Sequence, residues 1–293
     1  MVDRSLGRKI FRVVNGSGFI IYALLSLLPM LHVLAISLSS SVAVTSGKVL
    51  ILPVEFTLKS YNYILHKIQF WQAMKISGIR IVLGVSVSML MTILAAYPLS
   101  KTTRDFRSRN VIIWVFLFTM LFNGGMIPTY MIVRYTGLLN SIWALVIPSA
   151  ISVFNMILLM NFFRGVPKEL EESAFMDGAG HWRILWRIYI PVSMPAIATL
   201  TVFAVVGHWN SWFDGMIYMN DAQKYPMQTY LQSILVQPNL KLITKANAEM
   251  MRIISDRTLK AAQVFIAAIP VLLIYPFLQR YFVSGIMLGS IKE

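Results

Sequence analysis

The segment that decides the fold is residues 165–191, which read GVPKELEESAFMDGAGHWRILWRIYIP. It is charged in its first half and lies between two long apolar runs of the chain. Pro167 suits a first helical turn, and Glu169 complements the positive end of that helix dipole. Gly178 and Gly180 then allow the left-handed residue that ends a helix. The segment is therefore predicted to form two short helices.

The second of these helices has an amphipathic pattern. Its apolar residues recur at helical spacing on one face, and two arginines lie one turn apart on another. The apolar residues are Trp182, Leu185, Trp186 and Tyr189, and the arginines are Arg183 and Arg187. A surface hairpin of this kind needs a cover for its apolar face. That cover is either a partner protein or the lipid interface.

The composition places the rest of the chain in a membrane. The 293 residues are 57% hydrophobic and only 13% charged, against about 25% charged residues in an ordinary soluble domain. The absence of cysteine excludes disulfides, thiolate metal sites and cysteine nucleophiles. The net charge of +14 is interpreted as membrane topology and lipid contact, so no nucleic-acid partner is expected.

Apolar windows of about 20 residues predict six transmembrane helices. They lie near 17–38, 77–99, 111–133, 138–162, 196–219 and 262–283. The prediction is an all-α membrane protein with an N-terminal arm at 1–16, a six-helix transmembrane domain at 17–283 and a tail at 284–293. The basic start of the chain could also begin a signal peptide, but the first apolar run is too long and is interpreted as an uncleaved anchor. Kinks at subunit or pathway faces are expected from the prolines within or at the ends of the spans, and the alternative is that these are ordinary prolines tolerated in a helix bundle. They are Pro98, Pro128, Pro148, Pro270 and Pro276.

The distribution of positive charge predicts the orientation of these spans. The turn between spans two and three contains Lys101, Arg104, Arg107 and Arg109, whereas the turn between spans three and four contains only Arg134. The positive-inside rule then places both termini and segment 164–195 in the cytoplasm. The same assignment places segment 220–261 on the outer side.

The 165–191 segment also resembles a known sequence pattern. Glu172-Ser173-Ala174 is followed after three residues by Gly178 and after nine more by Ile188-Tyr189-Ile190-Pro191. This spacing resembles, without a gap, the EAA loop of permeases in ABC-type importers. Ser173 and Ile190 depart from that pattern but keep its size or character.

The resemblance implies a type I ABC importer permease fold in which this loop is the coupling helix of an ATPase contact. The implied coupling residues are Glu172, Ser173, Ala174, Asp177, Gly178, Trp182 and Arg183. The implied partners are a second permease subunit in a heterodimer, two ATPase subunits, an extracytoplasmic sugar-binding protein and the bilayer of a bacterial inner membrane. The chain has no phosphate-binding loop. ATP and magnesium are therefore expected on the partners, with no cofactor, metal or enzyme activity in this chain.

Span five is the predicted substrate pathway, since polar groups inside a bilayer are costly and mark functional sites. The candidates are His208, Trp209, Asn210, Trp212 and Asp214, where aromatic faces and hydrogen-bonding groups suit a sugar ring. The alternative is an interfacial aromatic belt with polar groups that serve helix packing. Weaker candidates are Arg80, which is expected to find an anionic partner or to extend to the interface, and Asn123-Gly124-Gly125.

The predicted cargo is a carbohydrate. The stretches 208–213 and 225–228 resemble the sugar-importing branch of the family, in particular the part that handles oligosaccharides. The outer segment is basic, with Lys224, Lys241, Lys245, Arg252, Arg257 and Lys260 against Asp221, Glu249 and Asp256. This charge favours an anionic, alginate-like cargo. It is equally typical of contact with anionic lipid or with an acidic binding protein.

The main alternative to an ABC permease is an ion-coupled secondary transporter. Such a protein would more often show inverted halves and a buried acidic coupling site. Here no halves match, and Asp214 is the only acidic residue within a predicted span. A membrane enzyme lacks support, because the chain has no nucleophile or metal-ligand motif.

Overall fold

The computed structural model describes residues 6–236, 257–270 and 272, and these residues form helices and no β-strand. The helices are α1 (Leu6–Ser37), α2 (Ser41–Thr45), α3 (Lys59–Leu65), α4 (Ile68–Ser100), α5 (Arg109–Leu121), α6 (Met126–Tyr135), α7 (Ile142–Val146), α8 (Val153–Arg164), α9 (Lys168–Met176), α10 (His181–Ile184), α11 (Ile190–Val192), α12 (Met194–Asn210), α13 (Phe213–Tyr218) and α14 (Met227–Val236), followed by α15 (257–270). A π-helical turn, Leu185–Tyr189, joins α10 to α11. Much of the predicted segment 220–261, most of the predicted span 262–283 and the tail 284–293 lie outside the described residues.

The chain divides into two compact units. The first comprises residues 1–68 and 233–269, and the second comprises residues 69–232 and 270–293. The first unit contains α1, which begins at Leu6 and so extends into the predicted N-terminal arm. Its small core lies where the end of α1 meets α2, with Ala35, Ile36, Ala43, Val44 and Val49 buried together. The candidate sites described below all belong to the second unit.

Two helices are long and apolar enough to cross a membrane in one piece, namely residues Ile10–Ser37 of α1 and the whole of α4. Three further pairs of helices meet the same criterion together, but each pair bends at a short break. The described part of the chain thus provides up to five spans by length and composition. The predicted class of all-α membrane protein is confirmed.

The predicted span 111–133 is interrupted, because the chain bends by 115° between α5 and α6. Gly125 has a φ of 90°, a conformation that glycine adopts without the penalty of a Cβ atom. The side chain of Asn123 accepts a hydrogen bond from the Gly125 N–H at 2.9 Å. An Asn-Gly-Gly turn therefore forms this break, while Pro128 lies within the first turn of α6.

The spans predicted at 138–162 and 196–219 are also interrupted. The first bends by 50° between residues Ile142–Ser149 and Val153–Arg164, and Pro148 lies in the 3-10 turn at this bend. The kink predicted there is confirmed. The second divides into α12 and α13, with Ser211 and Trp212 outside either helix.

The largest core of the second unit joins α4, α8, α12 and the segment between α8 and α12. Its buried members include Ile93, Tyr97, Leu159, Phe163, Leu185, Tyr189 and Leu200. The rings of Tyr97, Phe163 and Tyr189 meet edge to face, with centroids 5.1–6.5 Å apart. This is a favourable geometry for aromatic pairs, and it fixes the segment 165–192 against the end of α4.

A side chain of α12 packs directly against the backbone of α4 at Gly84. A Cβ atom added there would lie 2.6 Å from two atoms of the buried His208 ring. Real Cβ contacts are not this short, so the small residue is required by the helix crossing. Gly78 lies on the same helix, and a Cβ atom there would meet nothing within 4 Å.

We therefore expect Gly84→Ala to destabilise the protein by about 1–3 kcal/mol, the usual cost of overpacking a core. Gly78→Ala is the matched control and should be neutral or slightly stabilising, because alanine is the better helix former. Thermal unfolding of the purified protein in detergent measures both. Equal melting temperatures for the two variants would contradict the close crossing.

Candidate functional site

The first candidate site is the hairpin, which we define as residues 165–192. Its first arm, α9, ends in a turn that satisfies two carbonyl groups. The Gly178 N–H donates to the Phe175 carbonyl and the Ala179 N–H to the Ala174 carbonyl, both at 2.9 Å. Gly178 has a φ of 76°, as expected for a glycine that ends a helix. Gly180 instead has a φ of −79° and precedes α10, so only one of the two glycines has the predicted role.

The second arm does not present the single apolar face predicted for it. Ile184, Leu185 and Tyr189 are buried in the core, whereas Trp182 and Trp186 are 64% and 46% exposed. The Ile190 N–H donates to the Leu185 carbonyl. This i→i+5 bond widens the turn, so the side chains after it are rotated relative to their positions in a regular α-helix. The expectation that all four apolar side chains share one face is therefore wrong.

The outward surface of the hairpin carries large apolar side chains that the described residues leave uncovered. They are Leu170, Phe175, Met176, Trp182 and Trp186, of which Met176 is 88% exposed. The two tryptophan rings meet edge to face at 6.2 Å. Exposed apolar surface of this kind is typical of an interaction site.

Most of the predicted coupling residues share this outward surface. Glu172, Ser173, Asp177, Gly178, Trp182 and Arg183 are all exposed. Ala174 is different, because it is half-buried and packs against the chain's own core. Its small size therefore serves the packing of α9 on the bundle.

A buried ionic cluster fastens the base of the hairpin to the end of α4. The ammonium group of Lys101 donates to Glu171 Oε1 at 2.6 Å and to the Tyr189 hydroxyl at 2.9 Å. The Tyr189 hydroxyl in turn donates to Glu171 Oε2 at 2.5 Å. Lys101 Nζ also lies 4.2 Å and 4.0 Å from the ring centroids of Tyr97 and Tyr189. The cation is thus held by one carboxylate and two aromatic rings.

Burial sets the protonation of this cluster. It lowers the pKa of Lys101, and the hydrogen bond and charge of Glu171 act in the opposite direction. Burial also raises the pKa of Tyr189, and its hydrogen bond to Glu171 adds to this effect. Tyr189 therefore keeps its proton and remains a hydrogen-bond donor.

Sequence reasoning did not identify this cluster. Lys101 was interpreted only as one of four positive charges in a turn, and Glu171 lies 70 positions further along the chain. One available signal was Tyr97, near the end of the predicted span 77–99.

The second candidate site is the break between α12 and α13. The guanidinium group of Arg80, on α4, donates to both carboxylate oxygens of Asp214 and to the Ser211 carbonyl at 3.2 Å. The Thr229 hydroxyl donates to the Trp212 carbonyl at 2.8 Å. The two carbonyls of the non-helical residues are therefore satisfied by side chains, as a membrane interior requires.

Both carboxylate oxygens of Asp214 accept hydrogen bonds within the chain. Besides Arg80, the carboxylate accepts hydrogen bonds from the Ser211 hydroxyl at 2.9 Å and from the Gly215 N–H at 2.8 Å. The prediction that Arg80 finds an anionic partner is confirmed. Asp214 thus stabilises the break and has no free carboxylate oxygen for a ligand.

The other predicted pathway residues divide into two groups. His208 and Trp209 are buried among the helices, so their side chains serve packing. Asn210 and Trp212 are exposed at the break. The exposed Phe213 ring meets Trp212 edge to face at 5.5 Å. Of the predicted set, only these two residues face open space.

Comparison with known proteins identifies relatives along the whole chain. The model of the family described as "Binding-protein-dependent transport system inner membrane component" matches residues 88–288. The chain is similar to the polygalacturonan/rhamnogalacturonan transport system permease protein YtcP of Bacillus subtilis, with 40% identity over 289 residues. The alignment covers 97% of this chain and 99% of YtcP.

Two solved structures have a similar fold. The first is a chain of a bacterial ABC transporter involved in the import of the acidic polysaccharide alginate. It has 35% sequence identity and a TM-score of 0.88, over 96% of this chain and 100% of that one. The second belongs to a bacterial alginate ABC transporter in complex with a periplasmic protein that holds an alginate pentasaccharide. It is 17% identical with a TM-score of 0.54, over 93% and 95% of the two chains, and supports the fold alone.

The buried ion pair generates a stability prediction. Asp214→Asn removes the charge that compensates Arg80, so we expect a loss of about 3–5 kcal/mol, the cost of an unpaired buried charge. Asp221→Asn is the matched control, since Asp221 is exposed and accepts the Gln223 N–H through an oxygen that asparagine keeps. Folded yield and melting temperature in detergent measure both variants. An Asp214→Asn protein as stable as the control would show that the pair contributes little.

Proposed function

The chain belongs to the binding-protein-dependent transport system inner membrane component family, and from this membership we propose that it imports an acidic oligosaccharide, driven by partner ATPases. The family consists of ABC transporter permeases, so the chain is a membrane transport subunit and not an enzyme. The alternative of an ion-coupled secondary transporter is therefore wrong. The cargo, the energy coupling and the orientation are the proposed parts.

The observation that carries the proposal is the outward surface of the hairpin. It presents apolar side chains, among them Met176 and Trp182, beside charged residues such as Glu172 and Arg183. Apolar anchors within a polar rim are the usual composition of a protein interface. A helix lying in lipid would face the membrane with a single apolar stripe, whereas the exposed apolar side chains come from α9, α10 and the π-helical turn. We assign this surface to contact with an ATPase subunit.

The same assignment orients the chain. ATPase subunits are cytoplasmic, so the hairpin and both termini lie in the cytoplasm, in agreement with the positive charge at Lys101, Arg104, Arg107 and Arg109. The break at Ser211–Trp212 then lies in the outer half of the membrane. The predicted outer segment 220–261 receives the loaded sugar-binding protein.

The names of the relatives support an acidic carbohydrate as cargo. YtcP is named for polygalacturonan and rhamnogalacturonan, and the solved transporter for the acidic polysaccharide alginate. Polygalacturonan and alginate are both built of uronic acids. The basic outer segment of this chain is complementary to such a cargo.

The exposed groups at the break are the proposed cargo contacts. Trp212 and Phe213 offer apolar ring faces to the C–H side of a sugar, and Asn210 offers an amide to its hydroxyls. The complete pathway also needs the second permease subunit, since this chain supplies one side of it. ATP and magnesium belong to the two ATPase subunits.

Uptake by the complete transporter tests the cargo. The transporter is reconstituted in vesicles with its ATPases, its partner permease and its binding protein, and uptake of oligogalacturonides is compared with that of neutral oligosaccharides of equal length. We expect acidic sugars to be transported and to stimulate ATP hydrolysis. Preference for the neutral sugars would refute the acidic cargo while leaving the permease function intact.

A second test concerns the hairpin contact. Gly178→Trp places a large ring at the exposed glycine turn. Binding of the ATPase and stimulated ATP hydrolysis should then fall about tenfold or more, because poor fit at the centre of an interface weakens binding by as much as the loss of a hot-spot residue. Gly178→Ala is the matched control, since it introduces the same backbone strain at positive φ without the bulk. Co-purification with the ATPase and hydrolysis assays measure both. Equal behaviour of the two variants would contradict the contact.

A further inference from the structure

We propose that Lys101 is the positioning residue through which movement of the hairpin reaches α4. The inference rests on the proposed function, in which an ATPase moves the hairpin. Lys101 has no part in contacting the ATPase, because its side chain is only 9% exposed and lies at the base of the hairpin. Lys101 instead transmits the movement of the hairpin, through the hydrogen bonds that its ammonium group donates.

The cluster around Lys101 joins both arms of the hairpin to one helix end. Glu171 lies on α9 and Tyr189 on the π-helical turn, while Lys101 directly follows α4. The three polar groups form a closed triangle, with separations of 2.6 Å for Lys–Glu, 2.9 Å for Lys–Tyr and 2.5 Å for Tyr–Glu. Displacement of any one member relative to the other two breaks two hydrogen bonds. The arms and α4 are therefore expected to move together.

The other connections between the hairpin and the bundle are less directional. The hairpin is continuous with α8 and α12, and its other inner contacts are one uncharged hydrogen bond, between the His181 ring and the Tyr97 hydroxyl at 3.2 Å, and apolar side chains such as Ile184 and Leu185. Apolar packing is not directional, so it allows one element to shift over another. The chain bends by 82° between the second arm and α12, so pushing the hairpin does not act along the axis of α12. Charge-assisted hydrogen bonds have a defined direction and distance, and the Lys101 triangle supplies them.

Helix α4 can carry this displacement to the opposite side of the membrane. It is helical without interruption from Ile68 to Ser100, and Arg80 lies about 30 Å from Lys101 along its axis at 1.5 Å per residue. Arg80 bonds to Ser211 and Asp214 at the break between α12 and α13. One helix thus connects the base of the hairpin to the exposed Asn210 and Trp212.

The test separates transport from ATP hydrolysis in the complete, reconstituted transporter. Lys101→Met keeps the unbranched side chain, shorter by one atom, but removes its charge and its three hydrogen-bond donors. We expect this variant to assemble and to hydrolyse ATP in response to loaded binding protein, while the amount of sugar moved per ATP falls about fivefold or more, a typical size for coupling between sites. Arg107→Met is the matched control, because Arg107 is an exposed cation in the same turn, and it should keep the wild-type ratio.

A second variant keeps the test decisive if Lys101→Met fails to assemble. Tyr189→Phe removes one corner of the triangle and retains the ring, so its ratio should fall by less than that of Lys101→Met. The double variant should be no worse than Lys101→Met alone, since both changes act on one unit. A wild-type ratio in either single variant, or a loss of assembly with both, would overturn the proposal. Failure of the wild-type chain to assemble with an ATPase would instead overturn the proposed function.

Discussion

A peptide group inside a bilayer must find its hydrogen-bond partner within the protein, and this constraint governs the breaks within the predicted spans. At Gly125 a neighbouring asparagine side chain supplies the partner. At Ser211 and Trp212 the partners are a buried arginine and a threonine from other elements. The break in span five therefore depends on tertiary contacts, and its position is coupled to that of α4.

The hairpin differs from these breaks, because it has an inner surface that packs on the helices and an outer surface that is exposed. Its inner side is a core of aromatic rings and aliphatic side chains around a caged lysine. Its outer side leaves Met176, Trp182 and Trp186 exposed. The π-helical turn directs the buried side chains inward and the exposed ones outward. It ends at Tyr189, which belongs to the Lys101 cluster. A regular α-helix would give the residues before and after this turn a different relative rotation, so inner and outer contacts would not both form.

The class of fold and the hairpin could be predicted from the sequence. The contacts that fix the hairpin and the helices in place could not. Apolar windows and the spacing from Glu172 to Pro191 are local patterns, so the spans, the two short arms and the glycine turn at Gly178 could be predicted. The π-helical turn has no such local pattern, so the prediction that Trp182 and Tyr189 share one face of a helix was wrong. The Lys101 cluster and the partner of Arg80 join residues 70 and 134 positions apart. Pairings of that kind depend on how the helices pack, which no single segment encodes.

The pairing of Arg80 with Asp214 also has a consequence for the synthesis of the protein. Helix α4 leaves the ribosome before Asp214 has been made, and the two residues are 134 positions apart. At about 5–20 residues per second, Arg80 is without its carboxylate for roughly 7–27 seconds. An arginine at the centre of a helix raises the free energy of insertion by about 2.5–3.5 kcal/mol, which is an upper value for Arg80 because it lies nearer the first residue of α4. The leucine, isoleucine and valine content of α4 must outweigh this cost during that interval, so the apolarity of the helix is set by biogenesis as well as by the finished fold.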